Sequence, residues 1–262
     1  SRVDYASTDS LDVFAQATMT IFESNSVSNP TLASDAYGLT IPVRNPFISS
    51  DCAGLLASRP NPTADFQFYK AFNIAGPRYQ RYAYDVYQLI SGLAGTVPYR
   101  DWTWEGYVSV SRAKFENAQT GGVSRSAVTQ LLYSPTGGTE YCSGGFNPFG
   151  NNIPSTECVD YISRRTLNTN ELTQRMAEAT LQGGLFSLPA GEVRFAVGAD
   201  YRYNKFEFTP DSQLDLPDGT SDILGYSVLR ETSGSVDTTE VYAELLVPVL
   251  KDLPLIQEFN LD

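Results

Sequence analysis

The sequence predicts an all-β chain: an antiparallel, up-and-down sheet of transmembrane strands, the wall of a β-barrel. Three observations predict it. Segments of about ten residues alternate apolar and polar side chains, which in a strand fall on opposite faces. The connections between these segments are short and long in turn. Aromatic residues stand at both ends of the apolar faces, the levels at which interfacial girdles sit. A soluble β-sandwich, with its apolar faces turned to a core, is the alternative, but a Greek key does not sort its loops by length in this way.

Taken in order, the first strand lies in Asp12–Phe22, with Val13, Ala15, Ala17, Met19 and Ile21 on one face. Gln16, Thr18 and Thr20 lie on the other. Tyr82–Leu93 is strand-like with a less clean phase, which predicts a bulge. In Asp101–Arg112, Trp102, Trp104, Val108 and Val110 oppose Thr103, Glu105, Tyr107, Ser109 and Ser111. In Leu172–Leu185, Ala177, Ala179, Leu181 and Leu185 oppose Gln174, Glu178, Thr180 and Gln182. From Glu192 onward, Val193, Phe195, Val197, Ala199, Tyr201 and Tyr203 oppose Arg194, Ala196, Gly198, Asp200, Arg202 and Asn204. In Thr239–Val247, Val241, Ala243, Leu245 and Val247 oppose Glu240, Tyr242 and Glu244.

The short connections are Gly95–Asp101, Ser187–Glu192 and Val249–Phe259, each containing proline. The long ones are Asn25–Gln80, Thr120–Asn170 and Pro210–Ser235, rich in Gly, Pro, Ser, Asn and Asp. In an up-and-down meander all the long loops fall at one end. Short periplasmic turns facing long external loops are the asymmetry of outer-membrane barrels.

Composition bounds the function. The 262 residues include no histidine, so the commonest general base and metal ligand is missing. No Ser-His-Asp constellation is available, and neither an enzyme nor a cofactor is expected. With 30 acidic against 18 basic residues the net charge is −12, which argues against a nucleic-acid partner. No stretch reaches the roughly 18 apolar residues of a membrane helix, a test that barrel strands escape. The opening "SRVDYASTDS" lacks the charged start and apolar run of a signal peptide, so it reads as a processed start or as the interior of a longer chain.

Cys142 and Cys158 flank a Gly/Asn/Pro/Ser-rich loop, "YCSGGFNPFGNNIPSTECVDY". They read as a disulfide formed in an oxidising compartment, with two free thiols as the alternative. Cys52 is left over, expected beneath a short helix. Arg194, Asp200, Arg202, Glu240 and Glu244 recur in mid-strand; facing a lumen, they require water or partners of opposite charge. The acidic Asp211–Asp222 loop lacks EF-hand spacing, and no metal site is expected there.

At this point "FSLPAGEVRFAVGADYRYNKFEFTPDS" and "TSGSVDTTEVYAELLVPVLKDLPLIQEFNLD" are in view. With "FNPFGNN" and "LLASRPNP", they resemble the middle barrel strands of TonB-dependent outer-membrane receptors, over Asp12 to Asp262. The resemblance implies that residues 1–262 are part of a single barrel domain, about six strands of a 22-stranded barrel in the outer membrane of a Gram-negative bacterium. The plug domain and the other strands would lie outside this chain, which shows no TonB box, no plug-like sequence and no terminal strand ending in an aromatic residue. It also implies active uptake of a scarce small molecule or oligosaccharide (siderophore-iron, cobalamin or a glycan), energised by the TonB complex through the plug. Arg194, Asp200, Arg202, Glu240 and Glu244 would then face the lumen and plug. Tyr141, Phe146 and Phe149, on the cysteine-bounded loop, are candidate ligand-facing residues; the competing reading packs them into the loop's own core. A passive porin-like channel and a soluble glycan-binding or adhesin module are the rival functions.

Overall fold

A computed structural model describes residues 1–8, 10–33, 38–98, 101–253 and 256–261. It is an all-β molecule built on one antiparallel eight-stranded sheet. The long strands are β2 (Leu11–Ser28), β7 (Arg78–Thr96), β8 (Thr103–Val123), β9 (Ser163–Leu188), β10 (Gly191–Thr209) and β11 (Thr232–Leu253). Short strands β1 (Arg2–Thr8) and β12 (Ile256–Leu261) flank them, so the spatial order follows the chain in a meander. All six predicted strands are present, each longer than its alternating core. Of the connection expected over Val249–Phe259, β11 takes the part up to Leu253 and β12 the part from Ile256; residues 254–255 between them lie outside the described residues.

The bulge expected in Tyr82–Leu93 is not there. Strand β7 pairs without a register shift to both β2 and β8. Its phase is blurred because rings and branched residues occupy both faces: Tyr82, Tyr84, Val86 and Ile90 on one, Tyr87, Leu89 and Leu93 on the other. The register shifts fall elsewhere, at Ala6/Thr8, Gln119/Gly122, Val193/Arg194 and Pro248/Leu250, near strand ends where bulges concentrate.

The three long connections gather at one end of the sheet, and they are structured. The first carries small strands β3 (Leu32–Ala33), β4 (Leu39–Ile41), β5 (Phe66–Phe68) and β6 (Lys70–Ala71), which form two-stranded ladders β3–β6 and β4–β5. It also holds helix α1 (Ser50–Ala57). The second holds α2 (Arg125–Tyr133) and α3 (Thr156–Ile162). Serines start all three helices: Ser49, Ser124 and Ser155 each accept a backbone N–H from the first turn. Helix α2 buries Ala127, Val128, Leu131 and Leu132, one face at helical spacing. These side chains meet Leu39, Ile41, Phe72, Val123, Phe146, Ile162 and Leu224 in the main hydrophobic core. The core therefore sits in the loops, drawn from all three of them, and the sheet rises from beneath it.

Candidate functional site

Cross-strand partners share a face, so the register sorts every strand residue. One face is apolar. The row Val13, Leu93, Gly106, Ala179, Ala199 and Val241 crosses all six long strands. On each strand the apolar run is ended by the first charge toward the loops: Glu23, Asp85, Arg112, Arg175, Lys205 and Asp237. No charged residue interrupts it. Val241 is 81% exposed, Met19 72%, Ile21 60% and Val108 59%, and nothing in the described residues covers them. Aromatics mark both ends. Trp102 packs edge-on to Phe195 at 5.0 Å and donates its indole N–H to the Gly184 carbonyl at 2.7 Å, near the short turns. Tyr87, Tyr201 and Tyr203 stand where the charges begin, and Tyr201 donates to Asp237 at 2.6 Å.

The opposite face is polar. Phe14, Gly92, Tyr107, Glu178, Asp200 and Glu240 form one cross-strand row, so three carboxylates stand side by side on β9, β10 and β11. Glu178 accepts the Tyr107 hydroxyl at 2.6 Å and the Tyr242 hydroxyl at 3.3 Å. Tyr242 reaches Glu178 across strand β10, and Gly198 permits this: a Cβ there would run into the Tyr242 ring. Asp200 is buried to 8% exposure; its Oδ1 accepts no hydrogen bond and lies 3.7 Å from Arg202. Arg194 belongs to the short-turn end, paired with Glu192 at 2.7 Å and Asp101 at 3.2 Å. Glu240 and Glu244 are exposed, with no ion pair among the described residues. All five predicted lumen residues thus share this face, but they do not form one cluster.

Toward the loops the same face carries a row of rings that alternation did not reveal. Phe22 stacks on Tyr84 at 4.5 Å, Tyr84 lies 4.6 Å from Phe115, and Phe115 stacks on Tyr82 at 5.9 Å. Adjacent strands place them in register, a signal that exists only once the pairing is known.

Above the sheet, Cys142 and Cys158 form the disulfide, with Cα atoms 5.0 Å apart. Phe146 is 1% exposed within the loop core, and Phe149 packs against that core and edge-on to Phe68 at 5.9 Å. The competing reading therefore holds for both. Tyr141 remains partly exposed, stacked on Tyr161 at 5.3 Å. Cys52 lies in α1 itself, half-exposed, and that helix buries none of its residues; the expected shelter beneath a helix is absent. The acidic loop uses its carboxylates locally. Asp222 accepts from Ser124 Oγ at 2.6 Å and the Ser126 N–H at 2.7 Å, fixing the start of α2. Asp211 accepts the Leu167 N–H at 2.8 Å, and Asp215 pairs with Arg230.

Burial pushes the Lys70 ammonium below the usual lysine range; its Nζ donates to the Pro148 and Gly150 carbonyls at 2.9 and 3.1 Å. Hydrogen bonds from Ser134 and Thr136 hold the Glu140 carboxyl below its usual range. No helix of the described residues is long and apolar enough to cross a membrane, which says nothing of strands. Comparison with protein-family models, curated proteins and solved structures gave no significant match.

Proposed function

We propose that this chain is part of the barrel wall of a TonB-dependent outer-membrane receptor, which takes up a scarce nutrient. The observation that carries the membrane placement is the bare apolar band. In water, each fully exposed Val, Leu or Met forgoes roughly 1.5–3 kcal/mol of burial. A folded chain that keeps a packed core in its loops, yet leaves such a band uncovered across six strands, fits lipid as its solvent. The band's dimensions agree. Its runs are about nine residues, the ~9–11 that a tilted strand needs to cross the hydrocarbon core. At about 3.3 Å per residue and ~40° tilt this gives roughly 23 Å, close to the ~25 Å apolar belt of outer-membrane barrels.

The polar face then lines a lumen, and the loop cap faces the exterior. Bare strand edges are not tolerated in lipid, so β1 and β12 are paired in the working barrel. The receptor assignment itself rests on the sequence resemblance, with cargo and TonB as the implied partners. The test is uptake in a deletion strain. Loss of energy-dependent uptake of one nutrient, also lost without TonB, supports the reading. Uptake that persists without TonB indicates a passive channel. A protein that stays monodisperse without detergent indicates a soluble module.

A further inference from the structure

A cavity of about 680 Å³ opens between the first long loop and the disulfide loop. Phe68, Tyr69, Lys70, Asn73 and Ile74 line one side; Pro148, Gly150, Asn151, Asn152 and Ile153 line the other. Its size is that of ordinary small-molecule sites, ~300–1,000 Å³. Its walls are tied to rigid parts. Lys70 joins them through the Pro148 and Gly150 carbonyls, Phe149 seats the disulfide loop against Phe68, and the Cys142–Cys158 bond closes that loop.

The lining selects a ligand chemistry. None of the described acidic residues lines this cavity, which disfavours a cationic ligand. The one cation among the described lining residues, Lys70, spends two of its three N–H donors on backbone carbonyls, which ties it to the wall and leaves one donor for a ligand. What remains is amide and hydrocarbon. The side chains of Asn73 and Asn151 make no hydrogen bond within the described residues, and each offers two donors and an acceptor. Tyr69 is 49% exposed and Ile153 89%, apolar surface that suits the C–H face of a pyranose. We propose that this cavity binds a neutral oligosaccharide, with Asn73 and Asn151 holding vicinal hydroxyls and Tyr69 and Ile153 packing on the ring face. As an account of cargo, this rests on the receptor reading above.

The full chain should be applied, in detergent, to an array of neutral and uronate-bearing oligosaccharides. Binding to a neutral glycan is expected. It should weaken at least tenfold in the Asn73→Ala/Asn151→Ala pair and in Ile153→Arg, with the circular dichroism of the sheet unchanged. Thr18→Ala, on the far strand, should leave binding as it is. No neutral glycan bound, tighter binding of uronates, or binding indifferent to both variants overturns the site. Detergent dependence is read in the same samples. Sugar binding by a chain that needs no detergent would sink the membrane reading and leave the site standing. A detergent-dependent chain that binds no neutral glycan would sink the site alone.

Discussion

Phe146 holds the loop cap by packing in its core, and Cys158 holds it by a covalent bond. Phe146 is a large, fully buried side chain, so Phe146→Ala should cost about 3–5 kcal/mol. The disulfide closes a sequence separation of 16, and Cys158→Ser should cost roughly 3 kcal/mol on the chain-entropy account. Because the core they support lies in the loops, limited proteolysis should show faster cleavage within residues 124–162 while β2 and β7–β11 stay protected. Cleavage of the strands at the same rate would mean that the cap and sheet unfold as one. Glu140 adds a pH dependence. Its folded-state carboxyl titrates below the ordinary value of 4.5 because Ser134 and Thr136 donate to its charged form. Such a group stabilises the cap above the ordinary carboxylate range and stops doing so as the pH falls through its depressed value. The melting-temperature gap between the wild type and Glu140→Gln should therefore be widest above the ordinary carboxylate range and close as the pH falls through the depressed value; a gap independent of pH would remove Glu140 from the account.

At the scale of the strand, the faces make opposite predictions for one substitution. Val241 and Glu240 are neighbours on β11, with side chains on opposite faces. If the band faces lipid, Val241→Arg should cost about 2–4 kcal/mol in bilayers, the range for arginine at the midplane of a barrel's lipid face. Glu240→Arg should be tolerated or stabilising, since it puts a cation beside Asp200. Equilibrium unfolding in lipid vesicles measures both, and equal effects would put both faces in water. This is also the scale at which the sequence was most readable. Val13 to Ile21 and Val193 to Tyr203 alternate cleanly because one face carries no charge, and the register confirms their phase. In β7 the signal failed where it had to: Tyr82 and Tyr84 belong to the ring row of the polar face while Tyr87 and Leu89 belong to the apolar one, so period-two contrast vanishes. The loop core was opaque for a different reason. Leu39, Val128, Phe146 and Leu224 come from three different loops and meet only in three dimensions, which no local period records. The cysteine pair could be read because its chemistry is carried by two residues alone. The cavity beside it could not, because Asn73 and Asn151 are common loop residues until a wall places them opposite each other.

For the whole molecule, the arrangement inverts a soluble domain: the packed core is at one end and the greasy surface spans the sheet. The inversion should be readable residue by residue. In a Cys52→Ser background, single cysteines along β10 would be probed in bilayers with a polar maleimide. If the apolar band faces lipid, substitutions at Phe195, Val197 and Ala199 should label slowly, because lipid would exclude the reagent. Those at Ala196 and Arg202, on the polar face, should label at least tenfold faster. Moving toward the loops, the contrast should end near Lys205, where the first charge on the apolar side marks the edge of the band. On β8 the same boundary should fall at Arg112, and on β7 at Asp85, so the three limits trace one line around the wall. Uniformly fast labelling on both faces would put the sheet in water and return the chain to the soluble class. Slow labelling on both faces would mean that the polar side is also covered. Glu178, Asp200 and Glu240, three adjacent carboxylates, would then have to meet a basic surface there, because like charges set side by side away from water are otherwise unfavourable.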